Sequence, residues 1–284
     1  MFEEEVAIMD ISFVVVRKMT CGMSTLKKIL EKVANKEVSP AEAEKMLRIL
    51  ALEELGSMAK LDVSRELRKG IPEIIFAGGK TAKDVVGITL KMLEKNGRVI
   101  VSRCEDPHVD ALAMNMPKGI EVEKCDRANM IILRKKGFAV AKTGGRVGLL
   151  TAGTSDIPVA EEAKLIAQEM GCKVFSSYDL GVAGIHRLVP SLKEMVSKDV
   201  DVIIVVAGRE GALASVISGL VDVPVIGVPT SNSYGFGEKG LSALMAMLQS
   251  CSLGLAVVNI DGGVAAGAVA TLIANRVAKF RNQK

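Results

Sequence analysis

Residues 202–212 read VIIVVAGREGA. Five β-branched residues in a row, without polar alternation, describe a strand buried on both faces, as strands inside parallel sheets are. The run ends in Ala207-Gly208-Arg209-Glu210-Gly211-Ala212, a charge pair held between glycines, and an apolar stretch of helical spacing follows from Gly211 to Leu220. Outward from this unit the same rhythm recurs. Further strand-like runs lie at Val147 to Thr151, Lys173 to Ser177, Val225 to Val228 and Leu255 to Asn259. Helical stretches fall between them at Pro158 to Met170, His186 to Val196, Glu238 to Leu248 and Val264 to Ala278, with Gly171 placed as a left-handed cap. Strict alternation of apolar strand and helix predicts a doubly wound parallel α/β sheet over residues 143–284, with helices on both faces. Ligands of such sheets bind beyond the carboxyl ends of the strands, so the loops that follow them are the places to search.

Upstream, residues 23–142 read as a helical hairpin followed by a small α+β domain. The hairpin has apolar positions at Leu26, Ile29, Leu30 and Val33, then Ala43, Met46, Leu47 and Leu50. Ser39, Pro40 and Glu42 form a capping-box start for its second helix. Strands are expected at Ile74 to Phe76, Val99 to Val101, Ile120 to Glu123, Met130 to Leu133 and Phe138 to Ala141, with a helix from Thr81 to Glu94. Residues 1–22 form a poorly patterned leader. Regular patterning starts after Met23, which marks Met23 as an alternative start codon.

Composition narrows the class. Aromatic residues are 3% of the chain and Trp is absent, so stacking platforms for single-stranded nucleic acid are missing. The formal net charge is +4 over 284 residues, with both signs interspersed, which suits a small anionic ligand better than a nucleic acid. Five cysteines without a CxxC pair point to a reducing, cytoplasmic setting rather than to disulfides or structural zinc. No apolar run approaches the ~20 residues of a membrane span, and Glu3 to Glu5 are unlike the basic start of a signal peptide.

The loops carry the candidate chemistry. After the first strand of the large domain come Thr151-Ala152-Gly153-Thr154-Ser155-Asp156, small residues leading into a helix amino terminus; Ser155 and Asp156 either cap that helix or meet a phosphate. The second loop, Tyr178 to Arg187, ends in His186-Arg187, and the chain has one other histidine, His108. In the third, Glu210 stands beside Gly208 and Gly211, where substrate should lie. The fourth, Pro229 to Gly237, offers Thr230 and Ser231 to ribose or phosphate, a composition that also suits any loop. Cys251 precedes the last strand, and Asp261 follows it, ahead of glycines that open a helix.

Together the phrases TAGTSDIPVAEEA, YDLGVAGIHRL, VVAGREGALASV, PVIGVPTSNSYG and QSCSLGLAVVNIDGG resemble the LarB family, the nicotinic acid adenine dinucleotide carboxylase/hydrolase of nickel-pincer nucleotide cofactor synthesis. Leu61-Asp62, Arg65, Arg68, Gly70, Pro72-Glu73 and Gly79-Lys80-Thr81 extend the likeness upstream, with Arg65, Arg68 and Lys80 as further phosphate contacts; residues 1–22 fall outside it. The large domain is also similar to the PurE class of carboxyaminoimidazole ribonucleotide mutases, on Ser155-Asp156 and His186-Arg187. The resemblance implies a PurE-like, flavodoxin-like three-layer catalytic domain that assembles as an octamer. It implies carboxylation at C5 of the pyridinium, with CO2 or bicarbonate as co-substrate and Mg2+ assisting. It also implies phosphoanhydride cleavage that releases AMP and pyridinium-3,5-biscarboxylic acid mononucleotide. It gives a covalent role to Cys251 and a base role to Glu210, with His186 as a third catalytic candidate. Ser155, Asp156, Arg187, Gly208, Thr230, Ser231 and Asp261 are expected to bind substrate. The metal ligands stay unassigned, Asp156 and Asp261 being candidates. A PurE-type mutase and a non-catalytic nucleotide sensor are the competing readings. Topology adds one expectation, because Cys251 precedes a strand whereas Glu210 follows one. Either the Gln249 to Gly254 segment extends well beyond the sheet, or Cys251 reaches Glu210 of a neighbouring subunit. The octamer that the resemblance implies favours the second, with the small-residue helix Val264 to Ala274 as a packing surface.

Overall fold

The computed structural model describes residues 22–53 and 70–281. The leader, apart from Gly22, and Leu61, Asp62, Arg65 and Arg68 lie outside the described residues. Two compact units divide the chain, residues 1–68 and 69–284. In the first, α1 (Gly22–Ala34) and α2 (Pro40–Glu53) are in contact, with Ile29 and Ala43 buried. The capping box at the start of α2 is formed: the Ser39 N–H donates to Glu42 Oε2 at 3.0 Å, and the Glu42 N–H donates to Ser39 Oγ at 3.2 Å.

The second unit opens with a four-stranded mixed sheet of order β1-β2-β4-β3, made of β1 (Ile74–Phe76), β2 (Arg98–Ser102), β3 (Ile120–Cys125) and β4 (Met130–Lys135). β1 and β2 are parallel, and β4 runs antiparallel to β2 and β3. Helices α3 (Ala82–Asn96) and α4 (Asp106–Asn115) cover one face, where Val85, Met92, Leu93 and Leu112 pack on Val99, Val101, Ile131 and Leu133. His108 is used structurally. Its Nδ1 accepts from the Glu105 N–H at 3.0 Å, which leaves Nε2 protonated to donate to the Lys80 carbonyl at 2.9 Å.

Beyond it stands a five-stranded, wholly parallel sheet of order β6-β5-β7-β8-β9. Its strands are β5 (Arg146–Thr151), β6 (Lys173–Ser177), β7 (Val202–Ala207), β8 (Val225–Pro229) and β9 (Leu255–Val257). Helices α5 (Ile157–Glu169) and α9 (Gly263–Arg281) pack one face, through Ala160, Ala163, Ala266 and Ala270 against Val147, Leu149 and Ile204. Helices α6 (Leu188–Ser197), α7 (Ala212–Ser218) and α8 (Leu241–Leu248) pack the other, where Leu188, Leu213 and Met247 meet Leu150, Ile203 and Val205. Every residue of β7 is buried, as its unbroken apolar run requires. Each fully buried Val, Ile or Leu contributes ~1.5–3 kcal/mol of transfer free energy, so this double-sided core dominates the stability of the unit. The expected doubly wound, three-layer domain behind a smaller mixed-sheet domain is the architecture observed.

The free face of the small sheet packs on α5 and the start of α9: Ile100 and Met130 join Ile166, Met170 and Val264 in one cluster. Arg98 and Arg134 both reach Glu169 there, Arg98 at 3.3 Å, and Arg98 and Glu169 are nearly inaccessible to solvent.

Three details differ from the sequence reading. Phe138 to Ala141 is no strand; the Phe138 N–H turns back to the Lys135 carbonyl, its ring lies over the Arg98 guanidinium, and the segment connects the two sheets. His186 and Arg187 lie in a 3-10 turn (Val182–Arg187), and α6 starts at Leu188 because Gly184 leaves helical geometry. Likewise α8 starts at Leu241, after Glu238 and Lys239 depart from helical angles. Among the described residues no helix is long and apolar enough to cross a membrane.

Candidate active site

The order β6-β5-β7 places the topological switch between β5 and β7, and a cleft opens at the carboxyl ends of those strands. Its volume is about 420 Å3, and its walls come from the loops after β5, β6, β7 and β8: Ser155 and Asp156, Gly181 to Ala183, Gly208 to Glu210, and Asn232 with Tyr234.

Asp156 is its organising side chain. It is 4% exposed; its Oδ1 accepts from Thr230 Oγ1 at 2.7 Å and its Oδ2 from the Gly153 N–H at 2.9 Å. Burial pushes its carboxyl above the ordinary range, against the downward pull of the Thr230 hydroxyl and the Gly153 and Gly208 amides, while Asp261 adds a like charge. The glycine at 208 follows from this arrangement: a Cβ there would stand 2.7 Å from Thr230 Oγ1 and 3.4 Å from Asp156 Oδ1. The Asn232 amide donates to the Ser155 carbonyl at 2.6 Å and so ties the first loop to the fourth. Arg209 lies over the Tyr234 ring, 4.2 Å from its centroid.

Three strand ends of the large sheet carry a non-glycine residue in the left-handed region: Asp179 (φ 60°) after β6, Arg209 (φ 54°) after β7 and Asp261 (φ 54°) after β9. Each costs ~1–2 kcal/mol. Such strain gathers where loops are held in one conformation for a purpose.

The expected residues do not all converge within one chain. Ser155, Asp156, Gly208 and Glu210 line the cleft, and Thr230 stands behind Asp156. Ser231 and Asp261 adjoin it, the Ser231 N–H donating to Asp261 Oδ1 at 2.9 Å. Arg187 turns instead to Asp179 at 3.2 Å, and His186 is exposed on the same turn without lining the cleft. Cys251 is exposed, but at the other edge of the sheet. The Ser252 hydroxyl beside it donates to the Ser215 carbonyl at 2.8 Å near the end of α7, and the Val225 N–H that starts β8 donates to the Gly254 carbonyl at 3.0 Å. Glu210 stands at the far end of β7, next to β8, so a strand length separates thiol from carboxylate.

The sequence offered the Asn232 amide only as part of a loop suited to ribose and phosphate, and it singled out neither Tyr234 nor Arg209 as a binding element. The signal was present for the last two, since Tyr234 is one of two tyrosines and Arg209 adjoins Glu210.

A hard divalent ion takes several oxygen donors, often carboxylates. Among the described residues no three of His, Cys, Asp and Glu are grouped to hold a metal ion. Both Asp156 oxygens and one of Asp261 already accept hydrogen bonds. The donors among the described residues of one chain therefore do not fit Mg2+ by themselves.

Two family models match the chain: a LarB/PurE-like N-terminal domain over residues 52–135 and an AIR carboxylase domain over residues 146–283. An uncharacterised protein of Methanocaldococcus jannaschii is 46% identical over 251 residues, which is 88% of this chain and 96% of that protein. The chain belongs to the LarB family. Over a shorter stretch it is similar to N5-carboxyaminoimidazole ribonucleotide mutases. That of Pyrococcus horikoshii is 32% identical over 132 residues, 45% of this chain and 71% of the mutase. That of Thermotoga maritima is 29% identical over 133 residues, 45% of this chain and 74% of the mutase. The mutase likeness thus covers less than half of the chain, whereas the M. jannaschii relative matches 88% of this LarB protein.

Proposed function

We propose that the protein carboxylates C5 of the pyridinium of nicotinic acid adenine dinucleotide and hydrolyses its phosphoanhydride. The products are pyridinium-3,5-biscarboxylic acid mononucleotide and AMP. The observation that carries this reading is the pairing of a LarB-type N-terminal domain with an AIR carboxylase domain in one chain.

The residues give the reaction a route. An electron-poor pyridinium does not attack CO2. Addition of the Cys251 thiolate to the ring carbon beside C5 turns the ring into an enamine and makes C5 nucleophilic. C5 then bonds to CO2, Glu210 takes the C5 proton, and the electron pair left behind expels the thiolate and restores the aromatic ring. Asp156, Thr230 and the Gly153 amide hold the cleft rigid, while Ser155, Ser231 and Asn232 face ribose and phosphate. Mg2+ would supply charge neutralisation for phosphoanhydride hydrolysis and would have to draw on donors beyond this cleft, with CO2 or bicarbonate supplied from solution.

Because Cys251 and Glu210 stand at opposite edges of the sheet, the reading requires that the thiol of one subunit serve the cleft of another. The surface around Cys251 supports this. Leu248 and Leu253, three and two residues from Cys251, are exposed apolar side chains that a second copy would cover. On α9, expected as a packing surface, Ala266, Gly267, Ala270 and Ala274 are buried within their own subunit, while Ala265, Val269 and Leu272 are exposed and available to a second copy. An octamer of cytoplasmic subunits with reduced cysteines is the assembly proposed.

The test is incubation with nicotinic acid adenine dinucleotide, bicarbonate and Mg2+, followed by mass spectrometry for AMP and a mononucleotide one carboxylate heavier. Cys251→Ala and Cys251→Ser are expected to abolish carboxylation while nucleotide binding survives. Turnover of carboxyaminoimidazole ribonucleotide with none of the dinucleotide would instead make the protein a mutase.

A further inference from the structure

The cleft lies wholly in the large domain. Besides Arg98 and Arg134, which reach Glu169, a side chain of the small domain reaches a loop beside the cleft. Arg103 follows β2, and its Nη2 donates to the Asp261 carbonyl at 3.2 Å. Asp261 is a junction. Its N–H donates to the Pro229 carbonyl at 2.9 Å, and its Oδ1 accepts from the Ser231 N–H at 2.9 Å, so it grips both ends of the turn that opens the fourth loop. Its own backbone is left-handed, a conformation that persists only when the surroundings enforce it.

Arg103 is aimed rather than trailing. It is itself left-handed (φ 57°), and backbone bonds hold the residues on either side: the Ser102 carbonyl accepts from the Ala77 N–H at 2.9 Å, and the Cys104 N–H donates to the Asn129 carbonyl at 2.8 Å. Within reach of the Arg103 charge, Glu162 on α5 is 8% exposed and sits against Gly263 at the start of α9. Burial pushes its carboxyl up to about 7, while the nearby Arg103 charge and the Val264 N–H pull it down.

We infer that Arg103 is a positioning residue through which the small domain sets the conformation of the substrate loop, by way of Asp261 and Ser231. The relay needs only the observed cleft loops, so it stands apart from the identity of the substrate. The consequence for binding rests on the proposed dinucleotide activity.

The experiment is amide hydrogen exchange on the full-length protein without nucleotide, comparing wild type, Arg103→Gln and Arg103→Lys. In Arg103→Gln, amides of residues 230–237 are expected to exchange about fivefold faster, the factor that loss of one modest hydrogen bond represents. Exchange in β2 and β4 is expected to stay unchanged, and Lys, which keeps a charged donor, should recover part of the protection. With nicotinic acid adenine dinucleotide, the Gln variant should show a raised KM and a kcat close to wild type. Unchanged exchange over 230–237, or faster exchange spread equally across the small sheet, would overturn the inference. Equal losses of kcat and thermal stability would also overturn it, because they indicate a folding role. If wild type fails to turn over the dinucleotide, the proposed function falls and the exchange pattern alone decides the relay.

Discussion

At the scale of single residues, the cleft depends on an absent side chain. Gly208→Ala places a Cβ against Thr230 Oγ1 and Asp156 Oδ1, which the strand cannot yield to. The expected result is at least a tenfold loss of nucleotide affinity by calorimetry, with stability lowered by about 1–3 kcal/mol. Glu162 makes a pH prediction. Its folded value of about 7 lies above the ordinary 4.5, so the folded state holds the proton more tightly. Stability from this group is full below about pH 4.5 and is lost as pH rises through about 7, on the order of 3 kcal/mol in all. Glu162→Gln should flatten that part of the profile in urea titrations from pH 5 to 8; an unchanged slope would assign it to another group. Asp156 and Glu210 were legible as candidates because small residues flank both. That Asp156 organises the cleft was not legible, since its partner Thr230 lies 74 positions away.

At the scale of elements, strand and helix type were read correctly through the large domain, because strands buried on both faces are apolar throughout. Boundaries moved where glycines intervene, as at Gly184 and Gly237. Phe138 to Ala141 carries a strand-like composition, yet its ring is spent on Arg98, a contact that no local pattern encodes. The α5–α9 contact sets the other element-scale prediction. A Cβ at Gly267 would lie 2.5 Å from the Ala163 carbonyl oxygen and 2.9 Å from the Ile166 Cβ. Gly267→Val should therefore cost at least about 2 kcal/mol by chemical denaturation despite its gain in hydrophobicity. Near-neutral behaviour would mean that α9 slides freely on α5.

At the scale of the whole molecule, topology alone anticipated that Cys251 and Glu210 would stand apart, and the parallel sheet bears out that separation. The pairing of small sheet with large through Arg98, Arg134 and Glu169 was not legible, since ion pairs between distant segments leave no periodic trace. If subunits share sites, mixing inactive Cys251→Ala with inactive Glu210→Gln should regenerate activity, up to about a quarter of wild type for random pairing of one thiol with one carboxylate. No recovery despite subunit exchange proven by mass spectrometry would confine the chemistry to one chain. The exposure of Cys251 has a practical corollary. Cys104 and Cys125 are pushed up to about 11 and Cys172 is raised as well, in each case chiefly by burial, so at neutral pH these thiols are poor targets for alkylation. Once Cys21, outside the described residues, is replaced by Ser, a maleimide dye reports on one position. Its rate of attachment then serves as a stopwatch for assembly, fast on the free subunit and slow once a neighbour has closed over the thiol.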